Sequence, residues 1–166
     1  MANIRLVNQT ELQPILDLFA DLEWPVPCDQ ADTILDQLGW ERINRSVVRT
    51  TLPVSGPLSS MKCLGDEICD VDFWVSDLVD ETDHEGIAAI EAGFPVMVDT
   101  ISACLGFRPT GKLLHLDGVC WDLPTGGRID LSITSDHGAL NLTVQAPRLV
   151  ALDRADIKYG GSVDDL

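Results

Sequence analysis

The sequence predicts an α+β fold: an antiparallel sheet of about six strands, arranged as two three-strand meanders and packed with helices, in the order ααβββ-α-βββ-α. Three observations predict it. Residues 46–75 and 119–145 each contain short segments in which apolar and polar residues alternate at period two. Between these groups, Ile87, Ile90, Phe94, Met97, Val98, Ile101 and Leu105 recur at helical spacing. Turns bearing glycine or proline separate the strands within each group, as hairpins require. A chain of 166 residues has room for one domain with a proper core. That domain is expected over residues 1–160, with a frayed tail over 161–166 after Gly160-Gly161.

Each element has its own local warrant. Thr10-Glu11-Leu12-Gln13 has the form of a capping box, and Leu12, Ile15, Leu16, Phe19 and Leu22 then give one apolar helix face. Pro14 is expected in the first turn, where a missing N–H does least harm. Glu23-Trp24-Pro25-Val26-Pro27 ends that helix, because a residue before proline is pushed out of helical geometry. Asp29 is the expected cap of a short second helix carrying Ala31, Ile34, Leu35 and Leu38. Gly39 then provides a left-handed stop, and Trp40 folds back onto the helix. Trp24 and Trp40 read as core anchors.

Residues 46–52 and 58–64 form a hairpin around Pro53-Val54-Ser55-Gly56-Pro57, and Gly65-Asp66-Glu67 turns the chain into a third strand. In that strand Cys69, Val71, Phe73 and Val75 alternate with Asp70, Asp72 and Trp74. Asp83 caps the long helical segment and Gly106 stops it, with a kink or break expected at Gly93 and Pro95. The last third is a second meander, with turns at Pro124-Thr125-Gly126-Gly127 and Ser135-Asp136-His137-Gly138. Pro147 closes its final strand, and a terminal helix is expected over residues 148–158.

The charge is large and local. The formal net charge is −16. Between Cys63 and Phe107 there are eleven acidic residues and no lysine or arginine, whereas the flanking thirds are nearly balanced. A chain this acidic repels nucleic acid and anionic membranes, so neither is expected as a partner. No apolar run of eighteen residues and no secretory signal pattern is present, so the expected location is the cytoplasm. The five cysteines are scattered and odd in number, which reads as reduced thiols without a disulfide framework.

A search for catalytic chemistry returns little. His84, His115 and His137 share no metal-ligand spacing, and solvation accounts for His84 in the acidic linker and His137 in a turn. Cys120, His115 and Asp117 are neighbours in sequence, but a thiol nucleophile needs geometry that adjacency does not supply. Thr110-Gly111-Lys112 lacks the upstream glycine of a phosphate loop and reads as a turn. No calcium loop occurs around Asp70-Val71-Asp72. The expectation is a binding protein that is not an enzyme, with no cofactor and no metal.

The binding surface is expected in the acidic stretch. Asp70, Asp72 and Trp74 share one strand face, with the carboxylates about 7 Å apart. Asp77, Asp80, Glu81 and Asp83 lie in the loop that follows, which is acidic enough to act as a plug. Together these seven residues are the candidate partner-binding set. The competing reading is a solvated sheet face followed by a solvated helix cap.

Several motifs also carry a family resemblance. Glu23-Trp24-Pro25, Leu38-Gly39-Trp40, Val71-Asp72-Phe73-Trp74-Val75-Ser76-Asp77 and the run from Trp121-Asp122-Leu123-Pro124 to Thr125-Gly126-Gly127-Arg128 resemble an actinobacterial family of small acidic immunity proteins. That family includes the antitoxin of the mycobacterial necrotising toxin, an exported NAD glycohydrolase. The resemblance implies a cytosolic protein, monomeric or weakly dimeric, that occludes the active site of a toxin enzyme. It transfers no catalytic residue and no known toxin contact. In layout and charge the chain is also similar to type III secretion chaperones, which implies the alternative of an acidic chaperone holding an export substrate.

Overall fold

In the computed structural model, which describes residues 3–159 and their side chains through residue 155, two four-strand meanders are joined into one sheet. The first meander is β1 (Glu41–Arg42), β2 (Val47–Arg49), β3 (Leu58–Leu64) and β4 (Glu67–Trp74). The second is β5 (Gly111–Lys112), β6 (Asp117–Asp122), β7 (Arg128–Ile133) and β8 (Leu140–Gln145). They meet through their last strands, so the order is β1-β2-β3-β4-β8-β7-β6-β5, antiparallel throughout. The sheet therefore has eight strands rather than about six. The two additions, β1 and β5, are two-residue edge strands, too short to carry a periodic signal; β5 takes Gly111 and Lys112 out of the expected turn.

The helices are α1 (Gln9–Ala20), α2 (Ala31–Leu38), α3 (His84–Leu105) and α4 (Pro147–Tyr159), with a 3-10 turn over Cys28–Gln30. The capping box of α1 starts two residues before the expected one. Asn8 Oδ1 accepts from the Glu11 N–H and the Glu11 side chain accepts from the Asn8 N–H. Pro14 consequently lies in the body of the helix; it and Thr10, whose carbonyl it deprives of a partner, are exposed to water. Asp29 does not cap α2, because the 3-10 turn runs directly into the helix from Gln30. Gly39 is left-handed at φ 72°, and the Trp40 N–H returns to Leu35 O at 2.9 Å, closing the helix as expected.

No break interrupts α3 at Gly93 and Pro95. Pro95 and Glu91, four residues earlier, are exposed, so water satisfies the carbonyl that the ring leaves free. Gly93 is buried where Leu6 packs against the helix; a Cβ there would lie 3.1 Å from the leucine methyls. By length and composition α3 is able to cross a membrane, with mean hydropathy 1.4. Here Ile90, Met97, Val98 and Ile101 are buried against α1 and the sheet, the position of a core helix.

One face of the sheet is apolar and covered by α1 and α3. Val48, Met61, Val71, Phe73, Leu142, Val144, Ile129, Leu131 and Trp121 supply its inner layer. Trp121 is fully buried and donates to Ser102 Oγ on α3 at 3.3 Å. Trp40 meets Phe73 edge-to-face at 5.3 Å and ties α2 to the sheet. Trp40 is thus a core anchor, and Trp24 is half-buried against the same core.

The opposite face is polar. β4 sits near the middle of the sheet and sends Asp70, Asp72 and Trp74 to this side, as its alternation requires. Cys69 does not join Val71 and Phe73 inside. A register shift between Lys62 and Cys63 pairs Cys63 with Ile68, which takes the buried place instead. The α4 helix lies over one end of this polar face, with Val150 buried beneath it and Asp153 reaching Arg128. The expected frayed tail lies outside the described residues.

Cys28 and Cys63 form a disulfide across 35 residues, contrary to the expectation of uniformly reduced thiols. The pairing follows from tertiary structure. The segment after α1 runs beside the β3–β4 turn, where the Ile68 N–H donates to Val26 O and the Cys28 N–H donates to Asp66 O. Cys69, Cys104 and Cys120 are free.

Candidate functional site

Asp70 and Asp72 are in place, but they are held differently. Asp72 accepts a 2.6 Å hydrogen bond from Ser60 Oγ on β3. Asp70 faces Lys62 on one side and Gln145 on the other, and its Oδ1 is buried without a partner. Burial pushes the Asp70 carboxyl up from its ordinary value; Lys62 opposes this and Asp72 adds to it. Trp74 is half-buried beside Leu78 over Gly56, where a Cβ would come within 3.0 Å of the indole and 2.8 Å of the leucine methyl. Trp74 therefore packs against the two loops that carry Gly56 and Leu78.

The acidic loop that follows is ordered by its own carboxylates. Asp77 accepts the Arg5 N–H at 3.0 Å and the Ser55 N–H at 2.9 Å. Asp80 accepts from both the N–H and the hydroxyl of Thr82, which holds its carboxyl below the ordinary range. Asp83 caps α3 through the Gly86 N–H, as expected. Glu81 is exposed between them. Hydrogen bonds to N–H and hydroxyl groups leave the negative charges in place, so the loop presents fixed anions.

This loop packs against the β7–β8 turn. The Val79 N–H donates to Gly138 O at 2.8 Å. In that turn Asp136 accepts from Thr134 Oγ1 at 2.6 Å and from the Gly138 N–H at 3.0 Å, and both contacts lower its carboxyl. Asp80 and Asp136 are close enough for Asp136 to oppose the ionisation of Asp80. His137 follows with a left-handed φ of 59°. Its Nδ1 lies 3.1 Å from Glu91 Oε1 on α3, and its Nε2 lies 3.8 Å from Asp117 Oδ2 on β6.

Sequence reasoning did not find this His137, Glu91 and Asp117 grouping. It joins three segments far apart in the chain, and the available signal was a histidine in an Asp-His-Gly turn. The three residues line a cleft of about 400 Å³ together with Phe94, Lys112, Gly118, Val119 and Ile133. The exposed Leu114 and Leu116 lie just before Asp117 in the β5–β6 turn.

A second polar group has a structural role. Arg128 Nε and Nη2 bond the two oxygens of Asp130 at 2.7 and 3.0 Å, and Arg128 Nη2 also meets Asp153 of α4 at 3.0 Å. Asp130 is 6% exposed; burial lifts its carboxyl despite the pull of Arg128. Arg154 of α4 is bonded to Asp122. Cys120 is buried among these charges and its thiol is pushed up by that burial, so it is not a poised nucleophile. Among the described residues no cluster of three or more metal-ligating side chains has the geometry to hold a metal ion.

Comparison with known proteins finds a match over residues 10–143 to the family described as "Family of unknown function (DUF6301)". No curated protein and no solved structure matches the chain.

Proposed function

The chain belongs to the DUF6301 family, whose unknown function brings no activity with it, and we propose that the protein works by binding and occluding a cationic enzyme domain, as an immunity protein does with a toxin. The observation that carries this reading is the convergence of fixed carboxylates from separated segments at one end of the sheet. Asp77, Asp80 and Asp83 in the loop, Glu91 on α3, Asp117 on β6 and Asp136 in the β7–β8 turn all belong to it. On the opposite face of the sheet β4 carries Asp70, Asp72 and the half-buried Trp74.

An enzyme that binds NAD or nucleic acid keeps a cationic cleft for phosphates. Fixed anions steer the approach to such a cleft and compete with its substrate. Affinity comes from a few desolvated anchors, for which Trp74 is a suitable type. The partner in this reading is a folded toxin domain, an NAD glycohydrolase being the type that the sequence resemblance implies. The protein itself acts as a monomer or weak dimer, without catalysis or a cofactor, and nucleic acid and membranes are not partners.

The test is co-expression with a toxin domain encoded beside it: growth should be restored, and a folded protein that gives no rescue overturns the reading. Reversing charge at Asp70 and Asp72 should slow association and flatten its salt dependence. If the protein instead dimerises and captures the unfolded N-terminal segment of an exported neighbour, it is a secretion chaperone. A cytoplasmic location is part of the proposal, and the Cys28–Cys63 bridge argues the other way, because such bonds persist in oxidising compartments. Alkylation of the protein in intact cells, followed by mass spectrometry, decides between them.

A further inference from the structure

We propose that the pocket holding the Cys28–Cys63 bridge is a thiol-exchange site, which takes an anionic low-molecular-weight thiol of the glutathione class and forms a mixed disulfide at Cys63. The site lies beyond the occlusion of a partner and does not depend on it.

The reactive bond is open to solvent. Cys28 and Cys63 both line a pocket of about 300 Å³ beside the β3–β4 turn, and Arg42, Arg45 and Asp66 line it with them. Thiol–disulfide exchange needs access to a sulfur, which a bridge sealed in a core denies. Cys63 is exposed and Cys28 half-buried, so a thiol entering the pocket is directed to the Cys63 sulfur.

The charge of the pocket runs against that of the chain. Two arginines face one aspartate in its lining, in a protein of formal charge −16. Arg42 is held in place, with Nε on Asp32 Oδ1 at 2.8 Å and Nη1 on Arg45 O at 3.0 Å. Asp32 offsets part of its charge. Arg45 is exposed and forms no ion pair among the described residues, so it is the cation left to receive an anion. A carboxylate on the incoming thiol pairs with a guanidinium through two parallel hydrogen bonds.

In the exchange step the incoming thiolate attacks Cys63 Sγ. The new S–S bond forms as the Cys28–Cys63 bond breaks, and the electron pair leaves with Cys28 as a thiolate. Cys28 opens the 3-10 turn that runs into α2, and the start of a helix favours a negative sulfur, which makes Cys28 the better leaving group. Attack by that thiolate on the mixed disulfide releases the small thiol and restores the bridge. The Ile68 N–H on Val26 O and the Cys28 N–H on Asp66 O keep the two cysteines together while the bridge is open. Burial pushes up the thiols of Cys69, Cys104 and Cys120, so they compete poorly.

The test opens the bridge of the folded, oxidised protein with three small thiols of different charge: mercaptoethanesulfonate, mercaptoethanol and cysteamine. Acid-quenched samples are read by mass spectrometry, and each rate is expressed per thiolate. The net charge of the chain alone places cationic cysteamine first and the sulfonate last. The pocket predicts the reverse. The sulfonate should lead the neutral thiol by about fivefold, the value of one charge pair at about 4 Å in water, and the lead should fade at high salt. Arg45→Gln should abolish the lead, and a thermal melt equal to wild type shows that the variant is folded. With glutathione, the adduct trapped by acid should map to Cys63. Rates in the order set by overall charge, a lead that survives Arg45→Gln, or an adduct on Cys28 in place of Cys63 overturns the proposal. So does a bridge that opens only when the protein unfolds.

Discussion

Asp70 and Asp72 stand two residues apart on β4 and face the same way, yet Asp72 is bonded by Ser60 at 2.6 Å while Asp70 keeps a buried oxygen with no partner. The difference arises from their cross-strand neighbours. Ser60 brings a short hydroxyl directly opposite Asp72, whereas Lys62, opposite Asp70, carries its charge on a long, exposed stem. On one strand face, therefore, one carboxylate is locked and the other is held at a cost to the fold.

That cost has a pH signature. The folded-state carboxyl of Asp70 titrates above its ordinary value of 3.8, chiefly because it is buried. A raised acid penalises the fold once it is ionised: the penalty is absent below the unfolded value and complete above the folded one. Asp70→Asn should therefore be more stable than wild type at pH 7, and the gain should vanish as pH falls below about 4. Lys62→Met should move the Asp70 midpoint further up. Urea denaturation at several pH values and carboxyl NMR titration read the two effects; a variant that is less stable at pH 7 refutes the account.

On β7, Arg128 and Asp130 form a paired fork in a buried position, and the fork joins α4 to the sheet through Asp153. Arg128→Met should lose about 3–5 kcal/mol, because it leaves an uncompensated buried carboxylate. Replacing both, Arg128→Met with Asp130→Leu, should recover most of that loss, since the pair's net contribution is small compared with the penalty of breaking it. Chemical denaturation of the two variants checks the sign of the coupling.

Gly138 is the contact on which the acidic loop rests. A Cβ there would lie 2.5 Å from the Val79 carbonyl, which is backbone and unable to swing aside. Gly138→Ala should cost about 1–3 kcal/mol, the range for overpacking, and should speed amide exchange at Val79. Gly39→Ala is the control. It has open space around the added methyl but a left-handed φ of 72°, so it should cost about 1–2 kcal/mol through backbone strain and leave the loop unchanged. Equal exchange at Val79 in both variants would show that the loop does not depend on this turn.

These cases also show what was readable along the chain. The β4 alternation placed Asp70, Asp72 and Trp74 together because a half-buried strand writes its two faces into the residue order. Gly39, Asp83 and Gly106 were legible as helix ends because capping is chemistry of neighbouring residues. The start of α1 was misread because Asn8 with Glu11 and Thr10 with Gln13 both satisfy the same local pattern, and the reciprocal bonds form at Asn8. β1 and β5 form the two opposite edges of the sheet by pairing with β2 and β6, and segments of two residues are too short to announce that in the sequence. The meeting of His137 with Glu91 and Asp117 depends on how α3 lies across β6 and β7, and no local pattern encodes it.

The Cys28–Cys63 bridge is of the same long-range kind, and its contribution is measurable. It ties the segment after α1 to the β3–β4 turn across 35 residues. Backbone bonds already hold that segment, from Ile68 to Val26 and from Cys28 to Asp66. The bridge therefore acts mainly by limiting the unfolded chain, which for a loop of this length amounts to about 3–4 kcal/mol. Cys28→Ser with Cys63→Ser should lower the melting temperature without changing the fold, and a reducing agent should lower the wild type to the same value while leaving the variant unmoved. A wild type insensitive to reductant would mean that the two thiols are not joined in solution. If the variant unfolds outright, the disulfide is holding the polypeptide against β4, and the free segment should then become the first site of proteolysis.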